Sequence, residues 1–150
     1  MSILALVAPG DVNLAWAETR HLAEWGLRRG DGSHDLASLA AGVRAGTYQL
    51  WVVIDENGPK AVLFTEIVQW PRKKVCIIQY AAGAGALDDL LLHVGKIEHW
   101  AVAQGCDGMM VPGRDGWEPK LAGQGYRKTS IILEKRLCLS DTRAAAVAAE

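Results

Sequence analysis

A chain of 150 residues, 50% of them apolar and 22% charged, has an ordinary globular composition, which excludes a disordered, fibrous or collagen-like protein. Lys and Arg number 16 against 17 Asp and Glu, so the net charge of -1 leaves no electrostatic footprint for a nucleic-acid duplex. Every apolar run is broken well short of the roughly 18 residues a membrane-spanning helix needs, and neither a membrane nor nucleic acid is an expected partner.

The first element is a short apolar run, Ile3 to Val7, closed by Pro9-Gly10. Val12, Ala15, Trp16, Leu22 and Ala23 then recur at helical spacing, predicting a helix to about Arg29 with Asp11 placed to cap its start. After the loop Arg28 to Gly32, Ser33 is the expected cap of a second helix that carries Leu36, Leu39, Ala40 and Val43 and stops at Gly46. From Tyr48 the pattern turns to β-branched and aromatic residues. Tyr48 to Ile54, an Asn57-Gly58 turn with positive φ angles, Lys60 to Trp70, a basic turn at Pro71 to Lys74, and Val75 to Tyr80 predict three consecutive antiparallel strands.

Beyond Ala81 to Gly85, the residues Leu87, Leu90, Leu91, Val94, Ile97 and Ala101 recur at steps of three and four, giving a helix with one apolar stripe. Met109 to Val111 reads as a short buried strand, Trp117 to Leu121 as a helical turn, and Arg127 to Leu137 as a long final strand. The order is β-α-α-β-β-β-α-β-α-β: a single domain over 1–139, of α/β class with a mixed, largely antiparallel sheet flanked by helices. The Ala-rich stretch from Ser140 to Glu150 has no apolar stripe and is expected to be a frayed or disordered tail.

Metal chemistry has no pattern to stand on. His93 and His99 lie six apart on a helix and do not share a face as His spaced by four do. Cys76, Cys106 and Cys138 lack a Cys-x-x-Cys spacing and no secretory leader opens the chain, so they predict inert buried thiols in a reducing cytoplasm.

Several short motifs in this order, taken together, resemble a known family. They are Leu50-Trp51-Val52, Thr65-Glu66-Ile67, Trp70-Pro71-Arg72-Lys73-Lys74, Tyr80-Ala81-Ala82-Gly83, Trp100-Ala101 with Gln104-Gly105-Cys106, Gly113-Arg114-Asp115-Gly116-Trp117, Leu121 and Gly125-Tyr126-Arg127. Over about Leu4 to Leu137 the chain resembles the GNAT-fold, acetyltransferase-like proteins encoded by tailed bacteriophages and prophages, including internal virion proteins. The resemblance implies a place in the cytoplasm of a bacterial host or in the virion, and other virion or host proteins as partners.

It also implies an acetyl-CoA site in which Gly83, Ala84, Gly85 and Ala86 offer backbone N–H groups at a helix N-terminus to a pyrophosphate. Arg114 would be a coenzyme or partner contact, and Arg72 to Lys74 with Arg127 and Lys128 a basic rim for the 3'-phosphate. Glu66 is the candidate general base toward an amine. Against that chemistry stand Tyr80, where the family pattern opens with Gln or Arg, the like charge of Asp88 and Asp89 in the first helical turn, and Leu121 where the family has an acid tyrosine. The leading expectation is therefore a catalytically degraded binding or virion-assembly module. The alternative is an acetyl-CoA-dependent N-acyltransferase acting on an amine.

Overall fold

The computed structural model of the chain describes residues 1–30, 32–113 and 115–138, so Arg114 and the tail 140–150 lie outside the described residues. The elements are β1 (Ile3–Leu6), a 3-10 turn (Pro9–Asp11), α1 (Val12–Leu27), α2 (Leu36–Arg44), β2 (Tyr48–Asp55), β3 (Gly58–Gln69), β4 (Lys74–Ala82), α3 (Ala86–Ala103), β5 (Gly108–Met110), a second 3-10 turn (Asp115–Trp117) and α4 (Glu118–Ala122). The five strands form one sheet in the order β1-β2-β3-β4-β5, antiparallel except for β4 with β5. This is the mixed, largely antiparallel α/β architecture the pattern predicts.

Both faces of the sheet are covered, which is why β2 is buried continuously from Leu50 to Val53 rather than alternately. On one face α3 lays Leu90, Val94 and Ile97 against Trp51, Leu63 and Cys76. On the other, α1 and α2 pack Trp16, Leu39 and Val43 against Leu50, Val62 and Phe64. An edge-to-face indole pair, Trp51 with Trp100 at 5.3 Å, sits on the α3 side, and Trp16 meets Phe64 at 6.2 Å on the other. The buried Thr65 hydroxyl accepts from Trp51 Nε1 at 3.0 Å and donates to Gln49 Oε1 at 2.9 Å, so its burial leaves no polar atom stranded.

Local chemistry departs from expectation at four places. Asp11 makes no capping bond, and α1 instead follows from the 3-10 turn carrying Pro9 in its first positions. Ser33 does not cap α2. Asp35 does, accepting from the Ser38 N–H at 2.7 Å while Ser38 Oγ accepts from the Asp35 N–H at 3.0 Å, and the Ser38 N–H holds the Asp35 carboxyl below its ordinary value. The partner three residues on decides between the two candidates, since Ser33 has Leu36 there and Asp35 has Ser38. In the β2–β3 turn only Gly58 takes a positive φ, while Asp55 holds the turn by accepting from the Asn57 N–H at 2.8 Å. Met109 and Met110 are half-buried rather than buried, because β5 forms an edge of the sheet.

The largest departure follows α4. Arg127 to Cys138 forms no strand, and all of these residues are exposed, Cys138 among them. Isoleucine and leucine give the segment strand propensity, but a strand exists only when a second edge pairs with it, and no edge among the described residues forms a ladder with it.

Candidate functional site

The track along which the predicted site residues fall is β4. Its β3 side is paired along the whole strand, from Lys74 opposite Gln69 to Ala82 opposite Val62, whereas β5 pairs only with Val75, Cys76 and Ile77. From Ile78 to Ala82 the other edge of β4 is left without a strand partner among the described residues. Two features open that gap. Phe64 pairs with Tyr80 and Thr65 with Ile78, so Gln79 is the extra residue of a β-bulge that bends β4 there. On the other side, Val111-Pro112 ends β5, and proline has no N–H with which to extend a ladder.

At the C-terminal end of the open edge lies the predicted loop, Gly83, Ala84, Gly85 and Ala86. Gly83 has φ 133°, and a Cβ there would sit 2.5 Å from the Lys60 carbonyl oxygen, so only glycine lets the chain pass so close to β3. Gly85 is the N-cap of α3 in a left-handed conformation, makes no side-chain cap, and has open space around the position of a Cβ. Ala84 and Gly85 are exposed at the start of an 18-residue helix, with the positive end of its dipole behind them, whereas Gly83 and Ala86 are buried and the Ala86 N–H already donates to the Gly83 carbonyl at 3.1 Å, so Ala86 is not a free donor for an anion.

The two aspartates that opposed an anion here are each matched by a lysine. Lys60 Nζ lies 3.1 Å from Asp89 Oδ1 and Lys120 Nζ 3.4 Å from Asp88 Oδ1. Asp89 is buried, its Oδ2 has no hydrogen-bond partner, and its bond to Lys60 holds that ammonium more firmly protonated than usual. The local charge at the start of α3 is therefore close to balanced.

The basic rim expected from Arg72, Lys73 and Lys74 falls in the wrong place. Lys74 begins β4 and the loop follows its end, about 26 Å away at the rise of a strand. Lys74 instead staples β5, its N–H donating to Asp107 Oδ2 at 2.9 Å and its ammonium to the Gln104 carbonyl at 2.6 Å, while Lys128 pairs with Glu118 at 4.0 Å.

Glu66 lies five residues along β4 from the loop, opposite Ile77 and about 16 Å from the Ala82 level. Its side chain is half-buried on the α1/α2 face and accepts from Gln79 Nε2 at 3.0 Å, the side chain that the bulge turns toward it. Around it stand residues that the motifs do not single out. Tyr48 is its cross-strand partner on β2, and the Tyr48 hydroxyl lies 3.3 Å from His34 Nε2. His34 sits edge-on to both Tyr48 and Tyr80, and Tyr80 meets Ser33 Oγ at 2.7 Å. Burial, then the Glu66 and Tyr80 charges, push the Tyr48 phenol up from its ordinary value, so it remains a neutral hydroxyl. Gly42 makes the packing possible, since a Cβ there would meet the Tyr48 ring at 2.3 Å.

The other candidates are structural. Tyr126 packs on the α3 side and donates to Glu98 Oε1 at 3.0 Å, and Leu121 is buried. Cys76 is buried, and burial pushes its thiol up to about 12, far from a thiolate nucleophile. Among the described residues no group of three His, Cys, Asp or Glu is placed to hold a metal, and no helix is long and apolar enough to cross a membrane.

Solved acetyltransferases share this architecture. An aminoglycoside acetyltransferase from an uncultured soil metagenomic sample, in complex with sisomicin, matches with TM-score 0.66 and 12% identity over 91% of this chain and 97% of its own. Glucosamine-6-phosphate N-acetyltransferase from Arabidopsis thaliana gives TM-score 0.66 and 12% identity over 92% and 99%. A GCN5-related N-acetyltransferase from Ralstonia eutropha gives 0.62 and 17% over 91% and 99%. The fold is the GNAT fold. Identities this low carry the fold alone, and the expected phage or virion origin has no counterpart among these GNAT neighbours. No protein-family model matches the chain, nor does any curated protein.

Proposed function

We propose that the chain is an acetyl-CoA-dependent N-acyltransferase acting on an amine. The observation that carries this reading is the half-open strand β4, whose edge away from β3 has no strand partner from Ile78 to Ala82 among the described residues and which runs into the glycine loop at the N-terminus of α3. Such an edge offers N–H and C=O groups to the two amides of a pantetheine arm, much as it would to an added strand. The loop and helix end supply N–H donors to the pyrophosphate, with Lys60 and Lys120 offsetting Asp89 and Asp88.

The arm then runs along β4 toward the level of Glu66 and Gln79. There the amine attacks the thioester carbonyl, Glu66 accepts the proton that the nitrogen loses, and the tetrahedral intermediate collapses to the amide and the thiolate of coenzyme A. Gln79 fixes the Glu66 carboxylate through one oxygen and leaves the other for the amine. With buried Leu121 at the position of the family's tyrosine, the thiolate takes its proton from solvent. The competing reading, a degraded phage assembly module, leaned on Tyr80 at the head of the loop pattern, on Leu121 in place of a tyrosine and on the charge of Asp88 and Asp89, and the two lysines offset the last of these.

Thiol release from acetyl-CoA in the presence of a panel of amines, sisomicin and glucosamine 6-phosphate included, tests the proposal. Turnover with at least one amine is expected, with Glu66→Gln lowering kcat/KM about 100-fold or more at an unchanged KM for acetyl-CoA. Absence of amine-dependent thiol release, or a Glu66→Gln variant of full activity, overturns it.

A further inference from the structure

On the α1/α2 face of the sheet lies a cleft of about 240 Å³, between the start of α1, the end of α2 and the strands β1 and β2. Its wall is built from Leu6, Val7, Pro9, Val12, Val43 and Leu50, with Tyr48 among them. No charged residue borders it, and the Gln49 carboxamide oxygen is already engaged by the Thr65 hydroxyl. The Val7 N–H donates to the Leu50 carbonyl at 2.9 Å, which continues the β1–β2 pairing along this wall.

Tyr48 joins this cleft to Glu66. The two residues are directly opposite across β2 and β3, where Cβ atoms stand about 5 Å apart. Glu66 accepts from Gln79 and has no ion pair among the described residues, so its half-buried negative charge meets no cation of this chain. An ammonium supplies that cation. A phosphate or carboxylate on the same molecule would find no Lys or Arg in the cleft wall to balance it. A second cleft of about 270 Å³ shares Leu6 and Val7 with the first, but Asp11 and Glu18 border it and Tyr48 does not, so it lacks the link to the reacting carboxylate.

We infer that the acceptor is a monoamine whose body is apolar and about the size of one aromatic ring, with its nitrogen at Glu66 and its ring in the cleft beyond Tyr48. This rests on the acyltransferase reading above and names its substrate class. An apolar cavity of roughly 150 Å³ is enough to hold benzene, so the cleft takes a ring with a short alkyl link that crosses Tyr48. Burying the ring against Leu6, Val12 and Val43 supplies affinity in proportion to the apolar area removed from water. A polyhydroxylated or polycationic body entering the same wall would leave its polar groups without partners, which sets such amines apart from the acceptor.

Thiol release from acetyl-CoA with phenethylamine, methylamine, sisomicin and glucosamine 6-phosphate tests this, together with amide chemical shifts of the full chain titrated with phenethylamine alone. The expected kcat/KM for phenethylamine exceeds that of each other amine by about 10-fold or more, and the shifts move at Val43, Gly46 and Leu50. Leu6 is 38% exposed, so it can be changed with little loss of core. Leu6→Trp fills the cleft and lowers the ratio of kcat/KM for phenethylamine to that for methylamine about 10-fold. Leu6→Ala widens the cleft and moves the preference toward an amine with two fused rings. A higher kcat/KM for sisomicin or glucosamine 6-phosphate overturns this inference and leaves the acyltransferase reading standing, whereas turnover of no amine overturns both. Shifts that leave the cleft residues unmoved, or ratios unchanged in both Leu6 variants, overturn the placement of the ring.

Discussion

Val62, Leu63 and Phe64 on β3 are 0%, 0% and 1% exposed, while Ile131, Ile132 and Leu133 beyond α4 are 65%, 84% and 87% exposed. Both stretches are runs of large apolar residues with strand propensity. β3 lies between β2 and β4, paired on both edges and covered on both faces, whereas the later segment pairs with no strand among the described residues. What separates them is pairing, because a strand is stabilised by cross-strand neighbours and burial and only weakly by its own backbone preference.

The sharpest way to break this contrast is a truncation in each region. Phe64→Ala removes a ring packed edge-on to Trp16 inside the α1/α2 layer and is expected to cost about 3 to 5 kcal/mol. Ile132→Ala in dilute protein should stay within about 0.5 kcal/mol of the parent. Urea unfolding measures both, and a comparable loss at Ile132 would show that the segment packs on its own domain.

An intermediate effect is expected at Gly42→Ala. The added methyl collides with the Tyr48 ring, so the ring must move, with a cost of about 1 to 3 kcal/mol. Because Tyr48 lies beside Glu66 and far from the Gly83 loop along β4, amine-dependent turnover should fall while acetyl-CoA affinity holds. A loss of affinity with unchanged turnover would place the reacting end at the other end of the strand.

A smaller effect distinguishes the covered face of the sheet from the exposed segment through pH. Cys76 has an ordinary value of 9.0 and is pushed up to about 12. Below pH 9 both folded and unfolded chains keep the proton, and there is no contribution. Above it the unfolded chain releases the proton and the folded chain does not, so stability falls as pH rises from about 9 toward 12. Tyr48 and Tyr126, both pushed up mainly by burial, act in the same direction above pH 10. Urea midpoints from pH 8 to 10.5 should decline, and Cys76→Ala should flatten the first part of that slope.

Much of the fold is legible in the sequence where periodicity and burial agree. The β2–β4 meander and the α3 stripe are of this kind, as is the glycine-bearing turn between them. Less accessible were the relations set by tertiary register. Lys60 meets Asp89 across 29 positions of chain, and Lys120 meets Asp88 across 32, so their charges look unbalanced until the hairpin and α4 bring them together. His34 reaches Tyr48 and Tyr80 only because Asp35, rather than Ser33, starts α2, and Gln79 reaches Glu66 only through a bulge that no local pattern marks. The basic turn at Arg72 to Lys74 misled for the opposite reason, since a cluster adjacent in sequence lies a full strand from the loop.

We propose that the open edge of β4 and the start of α3 form an acetyl-CoA site whose acidic first turn is offset by Lys60 and Lys120. Titration calorimetry of the full chain with acetyl-CoA tests it most directly. A dissociation constant of about 1 to 20 μM is predicted, roughly -6.4 to -8.2 kcal/mol, together with loss of binding in a folded Gly85→Asp variant that sets a new carboxylate in the open space above the helix end. Binding no tighter than about 100 μM, or a Gly85→Asp variant that binds as the parent does, would contradict it.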